Sequence, residues 1–295
     1  MTNVLVIGAG TMGTQIALYC AMNGCSVKIY DVKADMLETS AKNMRMCLHD
    51  FLDHGVLTEA QCDGVLARIE ATTDPQEAGK DADVVSESVP EDPAIKAAVF
   101  AQFNGICPPE AIFTTNTSSL VPSMFAKKTG RQEKLAALHF HPPIWENRVV
   151  DIMPHPKTSP ETIETLRRFT TAINLIPIML EKEHHSYVYN NMLNALLGSA
   201  MGLVVGKVVS FKDVDKAWMA IMNTKVGPFG IMDYIGLDTV YTITKYWADK
   251  TRDHTLKGRA DFLGKYVKEG ALGVKTHKGF YTYPDPEYAR EEFIQ

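Results

Sequence analysis

The chain has 295 residues, of which 45% are hydrophobic and 22% charged, a composition typical of globular proteins and unlike that of disordered or fibrous chains. At about 150 residues per domain, this length favours two domains, each large enough to enclose a hydrophobic core. The 35 acidic and 30 basic side chains leave a net charge of −5, which argues against a nucleic-acid-binding or polybasic membrane surface.

The cysteine content favours a reducing compartment. Five cysteines are present, an odd number without a Cys-x-x-Cys pair, which does not fit a disulfide framework. The first residues carry neither the basic start nor the cleavage site of a signal peptide, and no run of about 18 uncharged apolar residues occurs. We therefore expect a cytoplasmic protein that does not cross a membrane.

The first half of the chain alternates short apolar runs with helical patterns. The predicted strands are residues 4–7, 27–30, 84–85, 112–115, 135–140, 149–153 and 176–180, and the predicted helices are residues 12–23, 36–51, 58–69 and 94–103. This alternation predicts an α/β domain with a doubly wound, mostly parallel sheet of the Rossmann type. Because only a short loop joins 135–140 to 149–153, these two strands are expected to pair antiparallel.

Strand patterns end near residue 184, and the chain beyond is predicted to be helical. Residues 187–205 are predicted to form one long apolar helix, followed by several more helices up to about residue 268. We therefore expect an α/β domain at residues 1–184 and an all-helical domain at residues 185–295. The stretch 192–204 is too apolar for an isolated helix, so it is expected to pack on the first domain or on a second copy, and a homodimer is favoured.

A glycine motif follows the first strand and begins the first helix, at Gly8-Ala-Gly10-Thr11-Met12-Gly13. In this context the motif indicates a dinucleotide site. Gly8 allows the tight turn, Gly10 lets the backbone approach a pyrophosphate, and Gly13 lets the helix pack closely on the strand. The backbone from Gly10 through Thr11 and Met12 then offers unpaired N–H groups to the pyrophosphate.

Asp31 ends the second predicted strand, 23 residues after Gly8. A carboxylate at this point accepts hydrogen bonds from the adenosine ribose diol and repels a 2′-phosphate, which predicts NAD in preference to NADP. Two alternatives are a glycine turn that binds no ligand and an FAD site. The chain is short for a flavoprotein and shows no second flavin-binding segment.

Three polar side chains follow or end strands of the predicted sheet. Ser118 comes after strand 112–115, His139 ends strand 135–140, and Asp151 lies twelve residues later on the returning strand. Ligands of open α/β sheets bind beyond the carboxyl ends of the strands, and an antiparallel pairing can set Asp151 against His139. Beside a hydride acceptor, an imidazole–carboxylate pair suits the interconversion of an alcohol and a ketone.

In this hypothesis His139 is the general base in oxidation and the general acid in reduction. Asp151 fixes the tautomer of the imidazole and stabilises its protonated form. Ser118, and Asn190 of the helical region, would stabilise the charge that develops on the reacting oxygen.

Other roles for these residues remain open at this point. His141 lies on the same strand face as His139 and is an alternative base. Asp151 could form a surface salt bridge with Arg148, and Ser118 could cap a helix. The two histidines at 184–185 lack neighbouring ligands at suitable spacing, so we predict a hinge there and no metal site.

These residues together resemble the L-3-hydroxyacyl-CoA dehydrogenase family, which includes bacterial 3-hydroxybutyryl-CoA dehydrogenases. The matching motifs span nearly the whole chain and lie at residues 8–13, 31, 86–91, 96, 116–120, 139–140, 226–229, 233–238, 273–276 and 279–281. The resemblance implies NAD as cofactor, the two-domain fold inferred above and a dimer formed by the helical domain. It also implies interconversion of short-chain (S)-3-hydroxyacyl-CoA and 3-oxoacyl-CoA.

The resemblance also implies roles for single residues. His139 matches the family's catalytic histidine, Ser118 its substrate-oxygen serine, and Asn190 the asparagine that begins its helical domain. Three residues match the groups near the nicotinamide ribose, namely Glu91, Lys96 and Asn116. Lys275 matches a residue that closes over the cofactor.

The chain departs from the family pattern at four places. Three are substitutions: Asp151 replaces the usual Glu, His-Pro-Pro at 141–143 replaces Phe-Asn-Pro, and Ser-Tyr at 186–187 replaces Gly-Phe. The fourth is the segment 48–59, which is usually rich in lysine and here has only His49 and His54 as potential cations. Because CoA phosphates ordinarily require Lys or Arg, a free 3-hydroxy acid remains an alternative substrate, as in gulonate and carnitine dehydrogenases. A catalytically silent NAD-binding protein is the third hypothesis.

Overall fold

The structure is a computed structural model that describes residues 2–294. It divides into two compact units between Val188 and Tyr189. The strands of the first unit are β1 (Asn3–Ile7), β2 (Ser26–Tyr30), β3 (Ile69–Thr72), β4 (Val84–Glu87), β5 (Ile112–Thr115), β6 (Leu135–Phe140), β7 (Val149–Pro154) and β8 (Ile176–Met179). Its helices are α1 (Thr11–Met22), α2 (Ala34–Asp53), α3 (Glu59–Leu66), α4 (Pro75–Gly79), α5 (Pro93–Asn104) and α6 (Pro160–Ala172).

The eight strands form a single sheet in the order β3-β2-β1-β4-β5-β6-β7-β8. Neighbouring strands are parallel except β6 and β7, which pair antiparallel. The predicted doubly wound, mostly parallel sheet and its antiparallel pair are therefore confirmed. The strand order reverses between β1 and β4, the point at which open α/β sheets leave a crevice for ligands.

Both faces of the central sheet are covered, which explains why its strands are continuous apolar runs. Along β1, Val4 and Val6 belong to one hydrophobic cluster, whereas Leu5 and Ile7 belong to a second cluster. Since successive side chains of a strand point to opposite faces, these clusters are the two cores on either side of the sheet.

Three elements of the first unit differ from the prediction. The helix predicted at 58–69 ends at Leu66, and Ile69–Thr72 forms β3 instead. This strand lies at the sheet edge and is half exposed, so it lacks the apolar run that marks a central strand. Helices α4 and α6 were also not predicted, although Ser159 caps α6 by accepting from the N–H of Thr162, and Pro160 occupies its first turn.

The long helix of the second unit begins later than expected. The prediction placed its start at Tyr187, but Ser186 and Tyr187 have φ values of +66° and +52°. A residue in this left-handed region cannot continue a right-handed helix, and the helix begins at Tyr189. Tyr187 is instead buried in the first unit beside Ala137 and Met153.

The second unit consists of helices and a C-terminal segment. The helices are α7 (Tyr189–Val205), α8 (Phe211–Met222), α9 (Pro228–Ile235), α10 (Leu237–Thr251) and α11 (His254–Lys268). Within residues 2–294, no helix combines the length and the apolar character that crossing a membrane requires.

Two buried carboxylates connect the elements of the second unit. Asp215 accepts from the N–H groups of Phe229 and Gly230 at the start of α9 and from the hydroxyl of Tyr281. Asp233, in α9, accepts from the N–H groups of Phe280 and Tyr281 at 2.9 Å each. Burial raises the pKa of Asp215 to about 6 despite these donors. The C-terminal segment is therefore attached to α9 by its backbone and to α8 by the hydroxyl of Tyr281.

Candidate active site

The glycine motif has the geometry that a dinucleotide requires. Gly8 has φ +101°, and a Cβ there would lie 2.7 Å from the carbonyl oxygen of Ser88. A Cβ at Gly13 would lie 1.8 Å from the carbonyl oxygen of Gly8, so α1 packs on β1 too closely for any side chain. At Gly10, by contrast, a Cβ would meet no atom within 4 Å. The absence of a side chain at Gly10 thus keeps space open and does not relieve a contact within the protein.

The start of α1 is suited to bind an anion. Gly10 is its N-cap and provides no side-chain acceptor for the N–H groups of the first turn, which belong to Thr11, Met12 and Gly13. These N–H groups and the positive end of the helix dipole are the features that bind a pyrophosphate. The residues present therefore fit a dinucleotide.

Asp31 is held next to the glycine motif. Its Oδ2 accepts from the N–H of Ala9 at 2.9 Å, and its Oδ1 accepts from the N–H of Lys33 at 3.0 Å. Each carboxylate oxygen keeps a further lone pair, so Asp31 remains able to accept from a ribose hydroxyl.

His139 and Asp151 stand directly opposite each other in β6 and β7. Their Nδ1 and Oδ2 atoms are 3.1 Å apart, a hydrogen-bond distance that the shorter Asp side chain reaches because of this register. The same Oδ2 is 2.9 Å from Nε2 of His141. Asp151 is thus shared by two imidazoles. The alternative considered from the sequence, a salt bridge between Asp151 and Arg148, does not form.

The electrostatics of this cluster favour a neutral His139 beside an ionised Asp151. Burial lowers the pKa of His139 below its ordinary value, although its hydrogen bond to Asp151 acts in the opposite direction. Burial opposes ionisation of Asp151, but the hydrogen bonds from His139 and His141 outweigh it and lower the pKa of the carboxyl. Since an ionised carboxylate only accepts, Nδ1 of a neutral His139 carries the proton and Nε2 is left as the free base.

Tyr187 covers one face of the His139 ring. The two ring centroids are 4.6 Å apart with an interplanar angle of 24°. Tyr187 is 2% exposed, and within residues 2–294 no hydrogen-bond partner reaches its hydroxyl. The stacked ring restricts rotation of the imidazole and keeps water from that face.

A second cluster of charges lies at the ends of β4 and β5. Lys96 is 1% exposed, and its ammonium is 2.8 Å from Glu87 and 3.2 Å from Glu91. Glu87 is completely buried, which raises the pKa of its carboxyl although Lys96 acts against this. Burial also disfavours the charge on Glu91, but the hydrogen bond from Thr117 and the charge of Lys96 outweigh it and lower its pKa. Glu91, with a side chain 39% exposed, is the member that faces outward.

The loop after β5 connects this cluster to His139. Thr117 donates to Glu91, and the side-chain oxygen of Asn116 accepts from the N–H of Phe140 at 2.9 Å. Ser118 lies exposed in this loop. It caps no helix, because the next helical turn begins at Pro122.

A contact within the first unit also links the loop after β6 to α1, whose first turn adjoins the glycine motif. The side-chain oxygen of Gln15 in α1 accepts from the N–H of Ile144 at 3.3 Å. One region of the first unit is therefore bordered by the glycine motif, the β4–α5 loop, the loop after β5 and the end of β6. Asp31 lies at one end of this region and His139 at the other.

The remaining predicted site residues, Asn190 and Lys275, belong to the second unit. Asn190 lies in the first turn of α7, in the second unit. Lys275 lies in the same unit, and its ammonium is 2.6 Å from Asp238. Their roles in the reaction stay predictions. Of the two histidines at 184–185, His185 bonds through Nδ1 to the carbonyl oxygen of Ser119.

Sequence reasoning missed three participants in the site. The sequence does give a sign of Glu87: a carboxylate at the end of a buried strand needs a cationic partner, and Lys96 follows nine residues later. His141 was considered as a base but not as the second partner of Asp151. Tyr187 was assigned to a helix, and only its two-residue approach with positive φ places it on His139.

Comparisons with known proteins agree with this geometry. Residues 3–184 match the model of the 3-hydroxyacyl-CoA dehydrogenase NAD-binding domain, and residues 187–283 match that of the C-terminal domain of the same family. The chain is 31% identical over 286 residues to the human mitochondrial hydroxyacyl-coenzyme A dehydrogenase, covering 95% of this chain and 91% of the relative. It is 32% identical over 278 residues to a probable 3-hydroxybutyryl-CoA dehydrogenase of Deinococcus radiodurans, covering 94% and 99%.

Solved structures of similar proteins superpose on almost the whole chain. A diketoreductase described as acting on dicarbonyl compounds superposes with a TM-score of 0.89 at 34% identity, covering 96% of this chain and 99% of the other. The (S)-3-hydroxybutyryl-CoA dehydrogenase of Ralstonia eutropha superposes with a TM-score of 0.86 at 27% identity, covering 97% and 100%.

The position of Asp31 generates the first prediction. Asp31→Ala is expected to weaken NADH binding by at least about tenfold, since hydrogen bonds to a charged group contribute about 1.5–3 kcal/mol. It should also reduce discrimination against NADPH, because the repulsion of a 2′-phosphate is lost. Fluorescence titration with NADH and NADPH measures both effects. Asp35→Ala, which removes an exposed carboxylate of the same loop–helix junction, is the control, and an unchanged NADH/NADPH ratio in Asp31→Ala would contradict the assignment.

Proposed function

The chain belongs to the 3-hydroxyacyl-CoA dehydrogenase family, and from this premise we propose that it interconverts short-chain (S)-3-hydroxyacyl-CoA and 3-oxoacyl-CoA with NAD. The observation that carries the proposal is the buried His139–Asp151 pair, which shares one region with the glycine motif and Asp31. An imidazole with a free Nε2 is the proton acceptor that oxidation of a secondary alcohol requires.

The protein's own residues would move the proton and hold the reacting groups. When bound, NAD supplies the acceptor for the hydride. In oxidation Nε2 of His139 takes the hydroxyl proton, while Asp151 keeps the proton on Nδ1 and stabilises the resulting imidazolium. In reduction the same nitrogen returns the proton. Ser118 is proposed to hydrogen-bond the substrate oxygen from the β5 loop.

The charges on α2 support a CoA thioester as the substrate. A shallow groove is lined by Lys42, Arg45, Met46, His49 and Asp50, and their spacing places them on one face of the helix. Two permanent cations therefore stand beside a histidine just before the lysine-poor segment noted in the sequence. Lys and Arg on one helical face are suited to bind the phosphates of CoA.

A free 3-hydroxy or 3-oxo compound is the second candidate substrate. The observation that favours it is the similarity to the diketoreductase, at 34% identity across almost the whole of both chains. The same His139–Asp151 chemistry would serve such a substrate without any contact on α2.

We also propose that the protein is a homodimer formed through its second unit. Support comes from large apolar side chains that the unit exposes, among them Val208 at 71%, Ile221 at 81% and Met192 at 60%. Sedimentation equilibrium should give about twice the chain mass of 32.7 kDa. A monomer at micromolar concentration would contradict the proposal.

The role of His139 generates a prediction on catalysis. His139→Gln is expected to lower kcat at least about a hundredfold, because general acid–base catalysis typically contributes about 10²–10⁴-fold. NADH affinity should change little, since the glycine motif and Asp31 are unaltered. Steady-state kinetics and NADH titration measure the two quantities. His184→Gln, at an exposed histidine outside the cluster, is the control, and near-normal turnover of His139→Gln would move the assignment to His141.

The choice of substrate generates a further prediction. We expect a higher kcat/KM for 3-hydroxybutyryl-CoA than for free 3-hydroxybutyrate. Combined Lys42→Ala and Arg45→Ala substitutions should raise KM for the thioester about tenfold and leave kcat unchanged, because the groove binds only the nucleotide part of the substrate.

The free acid serves as an internal control, because its kinetics should not respond to these substitutions. The control for the change in net charge is a double variant, Lys80→Ala with Arg168→Ala, which removes two exposed cations elsewhere in the first unit. Equal or better activity on the free acid would favour the second candidate substrate. NADH binding without turnover of any 3-hydroxy compound would indicate a catalytically silent protein.

A further inference from the structure

The cluster of His139, His141 and Asp151 has the composition and spacing of a metal-ligand set. Each residue offers one ligand atom, and the three atoms lie within 4.8 Å of one another. Oδ2 of Asp151 lies 3.1 Å from Nδ1 of His139 and 2.9 Å from Nε2 of His141. Ligand atoms about 2.1 Å from an octahedral or tetrahedral ion lie about 3.0–3.4 Å apart. Both N–O distances therefore suit a bound ion within a few tenths of an ångström.

The strands place these ligands on a rigid support. His139 and His141 are two residues apart along the direction of β6, so their side chains share one face. Asp151 joins them from the antiparallel neighbour β7, directly opposite His139. The strand pairing therefore holds all three ligand residues at the same end of β6 and β7.

A second observation also points to a cation. Asp151 is 1% exposed, and within the described part of the chain no hydrogen-bond partner reaches its Oδ1. A buried carboxylate oxygen without a donor is rare, because that oxygen is desolvated without a compensating hydrogen bond. An ion at the cluster that the carboxylate binds through both oxygens would provide the missing interaction.

We propose that His139, His141 and Asp151 bind a divalent transition-metal ion, for which Zn²⁺ is the best match, and that this ion inhibits the enzyme. Two imidazole nitrogens and one carboxylate oxygen favour such ions over Mg²⁺ and Ca²⁺, which prefer oxygen ligands. When the ion binds Nδ1 of His139, the proton of the neutral ring transfers to Nε2. That nitrogen can then no longer accept the hydroxyl proton of a substrate. Inhibition rests on the proposed function, whereas binding of the ion does not.

The test uses the chain of 295 residues after treatment with EDTA and gel filtration. Titration with Co²⁺ is expected to give a visible absorption band that saturates at one ion per chain, and Zn²⁺ but not Mg²⁺ should abolish it. His141→Phe should weaken Co²⁺ binding at least about a hundredfold, because one of three ligands is lost. His184→Ala, at an exposed histidine outside the cluster, should leave binding unchanged. Circular dichroism verifies that each variant is folded.

The readouts separate the two proposals. Absence of the Co²⁺ band, or a band that persists in both His141→Phe and His139→Ala, would overturn the metal site. Stoichiometric Zn²⁺ should abolish turnover, and EDTA should restore it; retained turnover at saturating Zn²⁺ would overturn the inhibitory role. Binding that depends on His141 in a protein without turnover would uphold the metal site and defeat the proposed function.

Discussion

The candidate site depends on one buried carboxylate that is shared by two imidazoles. Asp151 lies opposite His139 in the one antiparallel pair of the sheet, and its Oδ2 accepts from both His139 and His141. A buried charge is tolerated only when hydrogen bonds compensate for its lost hydration. The two imidazoles provide that compensation, and in return the carboxylate fixes the tautomer of each ring. The parallel strands hold the glycine motif and Asp31, and the antiparallel strand β7 places the carboxylate of Asp151 beside the ring of His139.

A second buried charge fixes the loops that follow β4 and β5. Lys96 is enclosed by Glu87 and Glu91, and Glu91 in turn accepts from Thr117 in the β5 loop. Burying an ammonium requires at least one close carboxylate, and Glu87 meets this need inside the protein. Glu91 is left partly exposed, with its charge maintained by Lys96 and Thr117. The cluster thus keeps an ionised carboxylate at the edge of the site while the loops on either side stay fixed.

Most of the sheet could be predicted because its central strands are buried on both faces. The predicted ranges 112–115 and 135–140 coincide with β5 and β6, and the spacing of His139 and Asp151 anticipated their contact. The edge strand β3 could not be predicted, because half exposure removes the apolar run. The stacking of Tyr187 on His139 was also hidden, since it depends on two positive φ values that no local pattern signals. Roles assigned through the resemblance, such as those of Ser118 and Asn190, remain expectations.

The attachment of the C-terminal segment to Asp233 has a consequence for handling the protein. The N–H groups of Phe280 and Tyr281 and the hydroxyl of Tyr283 all donate to this buried carboxylate. Proteolysis or truncation ahead of Phe280 would leave the buried carboxylate of Asp233 without these donors and would expose the aromatic rings that surround it. A shortened version ending near α11 should therefore aggregate.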